Sequence, residues 1–583
     1  MTLVGGEATA IRCFGVFAVT VAVLLYAVGL RAPFYLDDPE VLANARLTLG
    51  PRGLGLSSFR LNDQVDAIVQ VVFPVADPVL FRLANVLIHA AAATALFWLA
   101  FELVKKWAIA WAAATLFLVH PIQTQAVTYI AQRFESQATL LMLLSAAAYA
   151  RFRNRDRRGW FVLSMICGIA AALTKETAII LPVWILMIDA MFFSGGGIGK
   201  RAPYLVALAI LLSAPAFIAF SASGDTLLWI PWHRYFLTQG PVLAKYLQLV
   251  VWPSHQFLFY DFPLVQGFSL VVLAKWMLVL AVLAFGFFCL RRDRVIGFGI
   301  LTFFTLLLPV TLLPLPNILF EHRVYPAMAG VALAAGAGLS QLPGRTGLAL
   351  FLLAVAPLQY RTMHRNREWT DPVRFFEAHR ERFPSDPIIL ANLGVEYANR
   401  GMVDKALEAS LTARQFEDRA NRYYRKQVAV VIATTLGFQY LQKRQLDDAV
   451  AEAQRIRTLD PANAGGLMLL GEAQLARNDR AGARETYQTM VNREPQNRQA
   501  WVRLRNTLDP REDPERVREV ERRLQELAGA PPPLRARLQI SPVYRMQVSI
   551  GLAVLALLIV LAVARTLHDA RHSIPGLLAA TSR

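Results

Sequence analysis

Apolar runs of spanning or near-spanning length recur through the first 360 residues. They lie near 11 to 30, 79 to 103, 107 to 119, 136 to 150, 160 to 174, 177 to 193, 202 to 220, 268 to 290, 295 to 315, 325 to 341 and 346 to 360. A helix needs about 20 apolar residues to cross a bilayer core, where each backbone amide must be satisfied within its own segment. Eleven such runs in series exclude an ordinary soluble fold and predict an all-α, polytopic membrane bundle. The chain as a whole agrees: of 583 residues, 55% are hydrophobic and only 17% charged.

The net charge of +18 raises the question of nucleic acid. Many arginines, however, sit at the ends of apolar runs, and the basic residues of the C-terminal half are mixed with acids, so no nucleic-acid partner is expected. The three cysteines, Cys13, Cys167 and Cys289, fall inside apolar runs and imply neither disulfides nor a thiolate metal site. The first run is longer than a signal-peptide core and is read as an uncleaved helix. Lys105-Lys106, the arginine-rich stretch 151 to 158, Lys200-Arg201, Arg291 to Arg294 and Arg345 lie between alternate pairs of runs, which puts the N-terminus in the cytoplasm. The stretch 241 to 252 would break this alternation if it crossed, so an amphipathic or re-entrant helix is expected there.

The opposite face then receives the loops that carry unusual polar residues. The first, 31 to 77, opens with Tyr35-Leu36-Asp37-Asp38-Pro39-Glu40: two adjacent carboxylates just past a membrane exit, where a lipid-borne donor and a water-borne acceptor can meet. The second holds His120, Gln125, Tyr129, Arg133 and Glu135; if helical after Pro121, it sets Gln125, Tyr129 and Arg133 on one face at i, i+4 and i+8. Lys175-Glu176 interrupts two apolar runs with almost no loop. Charge near hydrocarbon is costly, which marks the pair as functional, the simpler alternative being a snorkelling lysine paired with its neighbour. Glu321-His322-Arg323-Val-Tyr325 introduces the tenth run, and an arginine fork suits a phosphate.

Leu36-Asp37-Asp38, His120-Pro-Ile-Gln-Thr-Gln125 with Arg133-Phe-Glu135, Lys175-Glu176-Thr, and Glu321-His-Arg323-Val-Tyr325-Pro together resemble, in motif order, the transmembrane and tetratricopeptide-repeat-containing O-mannosyltransferase family of the GT-C superfamily and its bacterial relatives. Family members often carry Thr-Glu where this chain has Thr124-Gln125, so that position offers an amide and no carboxylate. The resemblance implies a polyprenyl-phosphate-linked sugar as donor and a protein hydroxyl as acceptor. By that analogy Asp37 is the general base and Asp38 orients acceptor or donor. Arg323, Lys175 or Arg133, helped by His120, would meet the leaving phosphate. His322, Tyr325 and Glu176 complete the donor-binding set, and Gln125, Glu135 and Glu321 are further candidates. No cofactor is assigned with certainty: Asp37, Asp38 and Glu40 leave a divalent metal open, but adjacent carboxylates are a weak metal signal.

From about residue 361 the chain turns polar, and a repeat emerges. Gly437 to Gly471, Ala449 to Ala483 and Pro461 to Pro495 are each 34 residues apart, the tetratricopeptide period, while Gly394 to Gly437 is 43. This predicts a peptide-binding α-solenoid with an insertion around 416 to 427 and a capping helix over 497 to 508. The expected organisation is a GT-C-like membrane domain over 1–360, a linker over 361–385, repeats over 386–530, a Pro-rich link over 531–547, a last membrane helix over 548–566 and a tail over 567–583. Eleven crossings place the repeats outside, beside Asp37, in the periplasm of a bacterial inner-membrane protein. A non-catalytic repeat scaffold and an oligosaccharide ligase or polymerase are the rival readings.

Overall fold

The computed structural model describes residues 2–36, 38, 78–193, 230–315, 317–420 and 422–529. Among them there is no strand, and every regular element is a helix. It divides into two units, one containing the described residues up to Leu258 and those of Phe262–Thr370, the other those from Asp371 onward with Phe259–Asp261.

The first unit contains α1 (Thr2–Tyr26), α2 (Pro78–Val104), α3 (Trp107–Val119), the short α4 (Thr124–Thr128), α5 (Arg133–Arg155), α6 (Arg158–Thr174), α7 (Leu181–Phe192), α8 (Trp232–Val251), α9 (Leu270–Leu290), α10 (Arg294–Leu312), α11 (Met328–Ser340) and α12 (Gly344–Glu368). Helices thus occur at ten of the eleven apolar runs; the run 202 to 220 lies outside the described residues. Gly6–Tyr26, Pro78–Val104, Leu270–Leu290 and Arg294–Leu312 are long and apolar enough to cross a membrane, and α3, α6 and α11 are shorter apolar helices. Of the other four runs, 202 to 220 lies outside the described residues, α7 has only 12 residues, α12 ends in a polar stretch, and α5 carries charged residues at both ends. The stretch 241 to 252, expected as an amphipathic or re-entrant helix, falls in the second half of α8, whose buried face carries Tyr235, Val242, Tyr246 and Leu249.

Small residues set the tightest crossing. A Cβ at Gly299 on α10 would strike the carbonyl of Gly330 on α11, and the reverse holds as well, so these helices meet backbone to backbone. At the end of the bundle where Lys105 and the arginine-rich stretch lie, the basic residues are also structural. Buried Glu102 accepts from Lys105 at 2.5 Å, Arg151 at 2.6 Å and Asn154 at 2.8 Å, and Arg153 pairs with Asp189.

Residues 361–385, expected as a linker, are largely helical. Helix α12 runs on to Glu368 because Thr362, Arg365 and Asn366 are buried on its inner face. Asp371 then caps α13 (Pro372–Arg382), whose Phe375, Phe376 and His379 are buried in the second unit.

The second unit continues as antiparallel helix pairs: α14 (Pro387–Asn399) with α15 (Val403–Gln415), α16 (Arg422–Gln442) with α17 (Leu446–Leu459), α18 (Ala464–Ala476) with α19 (Arg480–Arg493), and α20 (Arg498–Thr507) with α21 (Pro514–Gly529). Asp386, Asn463 and Asn497 cap the first helices of three pairs. The turn within each of the first three pairs passes through left-handed backbone at the same place: Gly401 (φ 71°), Arg444 (φ 63°) and Asn478 (φ 62°). The long 43-residue step extends α16 to 21 residues, against 13 in α14 and α18. The predicted capping helix is instead a pair, since α21 adds Val517, Val520 and Leu527 to the terminal core.

Arg414 on α15 donates to both carboxylate oxygens of Glu452 on α17, at 2.6 and 2.5 Å, and Glu452 is buried. Arg414→Ala strands that carboxylate and is expected to cost about 3 kcal/mol, lowering the melting temperature of the repeat unit by roughly 10 °C in a thermal scan.

Candidate active site

Asp38 is fully buried. Its Oδ2 accepts from the Tyr35 amide at 3.0 Å and its Oδ1 from the Ala131 amide at 2.8 Å, with the Arg82 guanidinium 3.9 Å away. The second of these bonds reshapes the polar segment after His120. In an uninterrupted helix the Ala131 amide would bond the Val127 carbonyl. Here Asp38 takes the amide, Asn85 donates to the Val127 carbonyl at 3.0 Å, and Arg82 donates to the Thr128 carbonyl at 2.9 Å. The chain responds with two 3-10 turns, Pro121–Gln123 and Ile130–Gln132, on either side of α4, and Tyr129 is extended. Gln125, Tyr129 and Arg133 therefore do not share one helical face. Asp37, Pro39 and Glu40 lie outside the described residues.

The predicted cations separate into two groups. Arg133 is wholly buried and bonds Asn85 at 2.5 Å and the Phe81 carbonyl at 2.9 Å, locking α5 to α2. His120 is likewise engaged by backbone: Nε2 meets the Val250 carbonyl at 2.9 Å and Nδ1 accepts from the Ile122 amide at 3.2 Å. Burial pushes its pKa down to about 4, against the pull of the Val250 carbonyl, so the ring is neutral at pH 7.

Lys175, His322 and Arg323 form the second group. The predicted neighbour pair is not made: Lys175 reaches across to Glu135 on α5 and lies 4.8 Å from the Phe134 ring, while Glu176 is exposed. Arg323 stacks over Phe320 at 5.3 Å and spends one N–H on the Ile318 carbonyl at 3.1 Å. Burial, followed by the charges of Lys175 and Arg323, holds the His322 pKa well below the usual histidine range, so both cations act on one neutral ring. Its buried Nδ1 has no hydrogen-bond partner among the described residues. Groups of this kind are rare unless something else satisfies them.

This segment is held in place by the other candidates. Gln125 accepts from the His322 amide at 2.8 Å and donates to the Leu258 carbonyl at 3.0 Å. Glu321 is fully buried and accepts from the Phe257 amide at 2.8 Å and from Gln256 at 2.9 Å. Tyr325 turns inward, its hydroxyl 2.7 Å from Nδ1 of His89, whose Nε2 meets the Leu118 carbonyl. Among the described residues no three His, Cys, Asp or Glu side chains are grouped to hold a metal ion.

Sequence reading passed over Arg82, Asn85 and His89. Their spacing, i, i+3 and i+7, puts all three on one stripe of an otherwise apolar helix, and polar groups inside a membrane helix are the available signal.

Comparison with known proteins finds one repeat family and several partial relatives. Residues 440–508, from the end of α16 through α20, match the tetratricopeptide repeat family. The chain is 32% identical over 128 residues to protein O-mannosyl-transferase Tmtc1 of Drosophila melanogaster, covering 22% of this chain and 14% of that protein. It is 29% identical over 236 residues to protein O-mannosyl-transferase Tmtc2 of the same organism, covering 35% and 24%. To protein O-mannosyl-transferase TMTC1 of Mus musculus it is 32% identical over 139 residues, covering 22% and 14%. The aligned parts thus span less than a quarter of each of these relatives. The chain resembles the transmembrane, repeat-containing O-mannosyltransferases of the GT-C type.

Proposed function

We propose, on the likeness to protein O-mannosyl-transferases, that this chain is a membrane glycosyltransferase. It moves a sugar from a polyprenyl-phosphate carrier to a hydroxyl of a protein acceptor on the outer face of the membrane, which for a bacterial inner-membrane protein is the periplasmic face. The observation that carries the reading is that the charges of Lys175 and Arg323 both bear on His322, whose buried Nδ1 has no hydrogen-bond partner among the described residues. Two cations and a neutral imidazole suit a departing phosphate better than they suit a sugar ring.

In the proposed step the acceptor oxygen attacks the anomeric carbon while the bond from that carbon to the phosphate oxygen breaks, inverting the centre. The hydroxyl proton passes to Asp37, and the negative charge gathering on the lipid phosphate is met by Lys175 and Arg323. Asp38, next to Asp37 and committed to the Tyr35 and Ala131 amides, holds the start of the outer loop in place and acts through position. Gln125 and Glu321 do the same for the His322 segment. The repeat unit presents the acceptor peptide.

Asp37→Asn is expected to lower transfer from a lipid-phosphate sugar to a peptide by about 10²–10⁴-fold, the usual contribution of a general base. Folding and membrane insertion should be unchanged. Full activity in that variant overturns the assignment, and loss of function only on deletion of the repeats is the outcome a non-catalytic scaffold would give.

A further inference from the structure

Away from the His322 segment, α3, α11 and α12 leave an apolar cavity of about 570 Å³, bounded on one side by the end of α8. The size lies within the range of about 300–1,000 Å³ that takes a small organic ligand. The space exists because Ala332, Ala335, Ala354 and Pro357 line it where larger side chains would close it. Besides two aromatic residues, the polar side chains in its lining are those of His120, Ser254 and Arg361. Both ring nitrogens of His120 are already engaged. Arg361 gives one N–H to the Pro253 carbonyl at 3.2 Å and forms no ion pair among the described residues, none of which compensates its charge. Beside it, Trp252 and Tyr360 also line the cavity and are 71% and 66% exposed.

We infer that this cavity holds one acyl chain of an anionic glycerophospholipid of the bilayer, with the headgroup phosphate on Arg361. An apolar slot among membrane helices selects hydrocarbon. A guanidinium with no ion-pair partner among the described residues, placed at its rim, selects phosphate and prefers a lipid without a cation of its own. Trp252 and Tyr360 supply the aromatic pair that favours the headgroup level of a membrane. The occupant is a bilayer lipid and not the sugar carrier, because the cations proposed for the carrier phosphate, Lys175 and Arg323, do not line the cavity, which brings its own. The choice of a bilayer lipid over the carrier rests on the proposed function; the apolar slot and the cation at its rim do not.

The test uses the full chain in phosphatidylcholine nanodiscs, labelled with phosphatidylglycerol or phosphatidylcholine bearing a photoreactive acyl chain, with cross-linked residues mapped by mass spectrometry. Phosphatidylglycerol is expected to label α11 and α12 near Ala335 and Ala354 in preference to phosphatidylcholine. Arg361→Gln should erase that preference, weakening capture by about tenfold, as loss of one charge-assisted contact would. Ala335→Phe should block labelling by filling the slot; Arg361→Gln, at a half-buried rim position, serves if that variant does not fold. Equal labelling by both lipids, cross-links elsewhere, or no change in Arg361→Gln overturns the inference. Displacement of the probe by a long-chain prenyl phosphate also overturns it, and would give the cavity to the carrier chain.

Discussion

Asp38→Ala is expected to abolish the folded membrane unit. Removing the carboxylate orphans two buried amides, of Tyr35 and Ala131, each worth about 1–3 kcal/mol when left unpaired. It also leaves Arg82, 1% exposed, without its counter-ion, and breaking a buried pair from one side costs about 3–5 kcal/mol. Together these equal most of the stability of a typical domain. Asp38→Asn keeps an acceptor for one amide but turns an N–H₂ toward another donor and still strips Arg82 of its partner, so it should be only partly milder. Arg82→Ala should fail in the same way, since Arg82 also donates to the carbonyls of Ala32, Pro33 and Thr128. The Asp38→Ala/Arg82→Ala pair should lose less than the sum of the two singles, with a coupling of about 0.5–3 kcal/mol, because both disrupt one network. The measurement is size-exclusion and thermal melting in detergent for all four variants. A monodisperse Asp38→Ala protein with an unchanged melting temperature would remove Asp38 from its structural place. It would also make any loss of activity in that variant a chemical effect, which is the reading this prediction rejects.

The same residue shows where sequence reading reached its limit. Hydropathy located the helices, because the period of apolar residues is a local property of each segment. The repeat helices were equally legible: Gly471 is fixed by the Tyr487 side chain 16 residues on, within one repeat. The break at Tyr129 was not legible, since nothing in 120–135 forbids a continuous helix. Its causes, Asp38 with Arg82 and Asn85, are more than 40 residues distant. The partner of Lys175 was missed for the same reason: adjacency pointed to Glu176, whereas Glu135 is 40 residues back on a neighbouring helix. The helical course of 361–385 was hidden by its charge, because burial of Thr362, Arg365 and Asn366 depends on contacts such as Asn366 with the Leu25 carbonyl and Thr128.

Lys175→Met is expected to lower transfer by about 10²–10³-fold, the usual loss when one preorganised donor to a developing negative charge is removed. The difficulty is that Lys175 also balances Glu135, which is 2% exposed, so the single variant confounds lost chemistry with a stranded carboxylate. A buried carboxylate without its cation either takes up a proton or pulls on another cation, and Arg323 is close enough for its charge, with that of Lys175, to bear on His322. Glu135→Gln resolves this. It leaves Lys175 free of its counter-charge and should hold donor at least as tightly as the native chain. The decisive protein is Glu135→Gln/Lys175→Met, in which the pair is removed together and no charge is left uncompensated, so that its stability should return close to that of the native chain. If Lys175 meets the leaving phosphate, that double variant melts normally and remains about 10²–10³-fold slow. If Lys175 serves only to neutralise Glu135, activity returns with stability, and the cation that receives the phosphate has to be Arg323 alone.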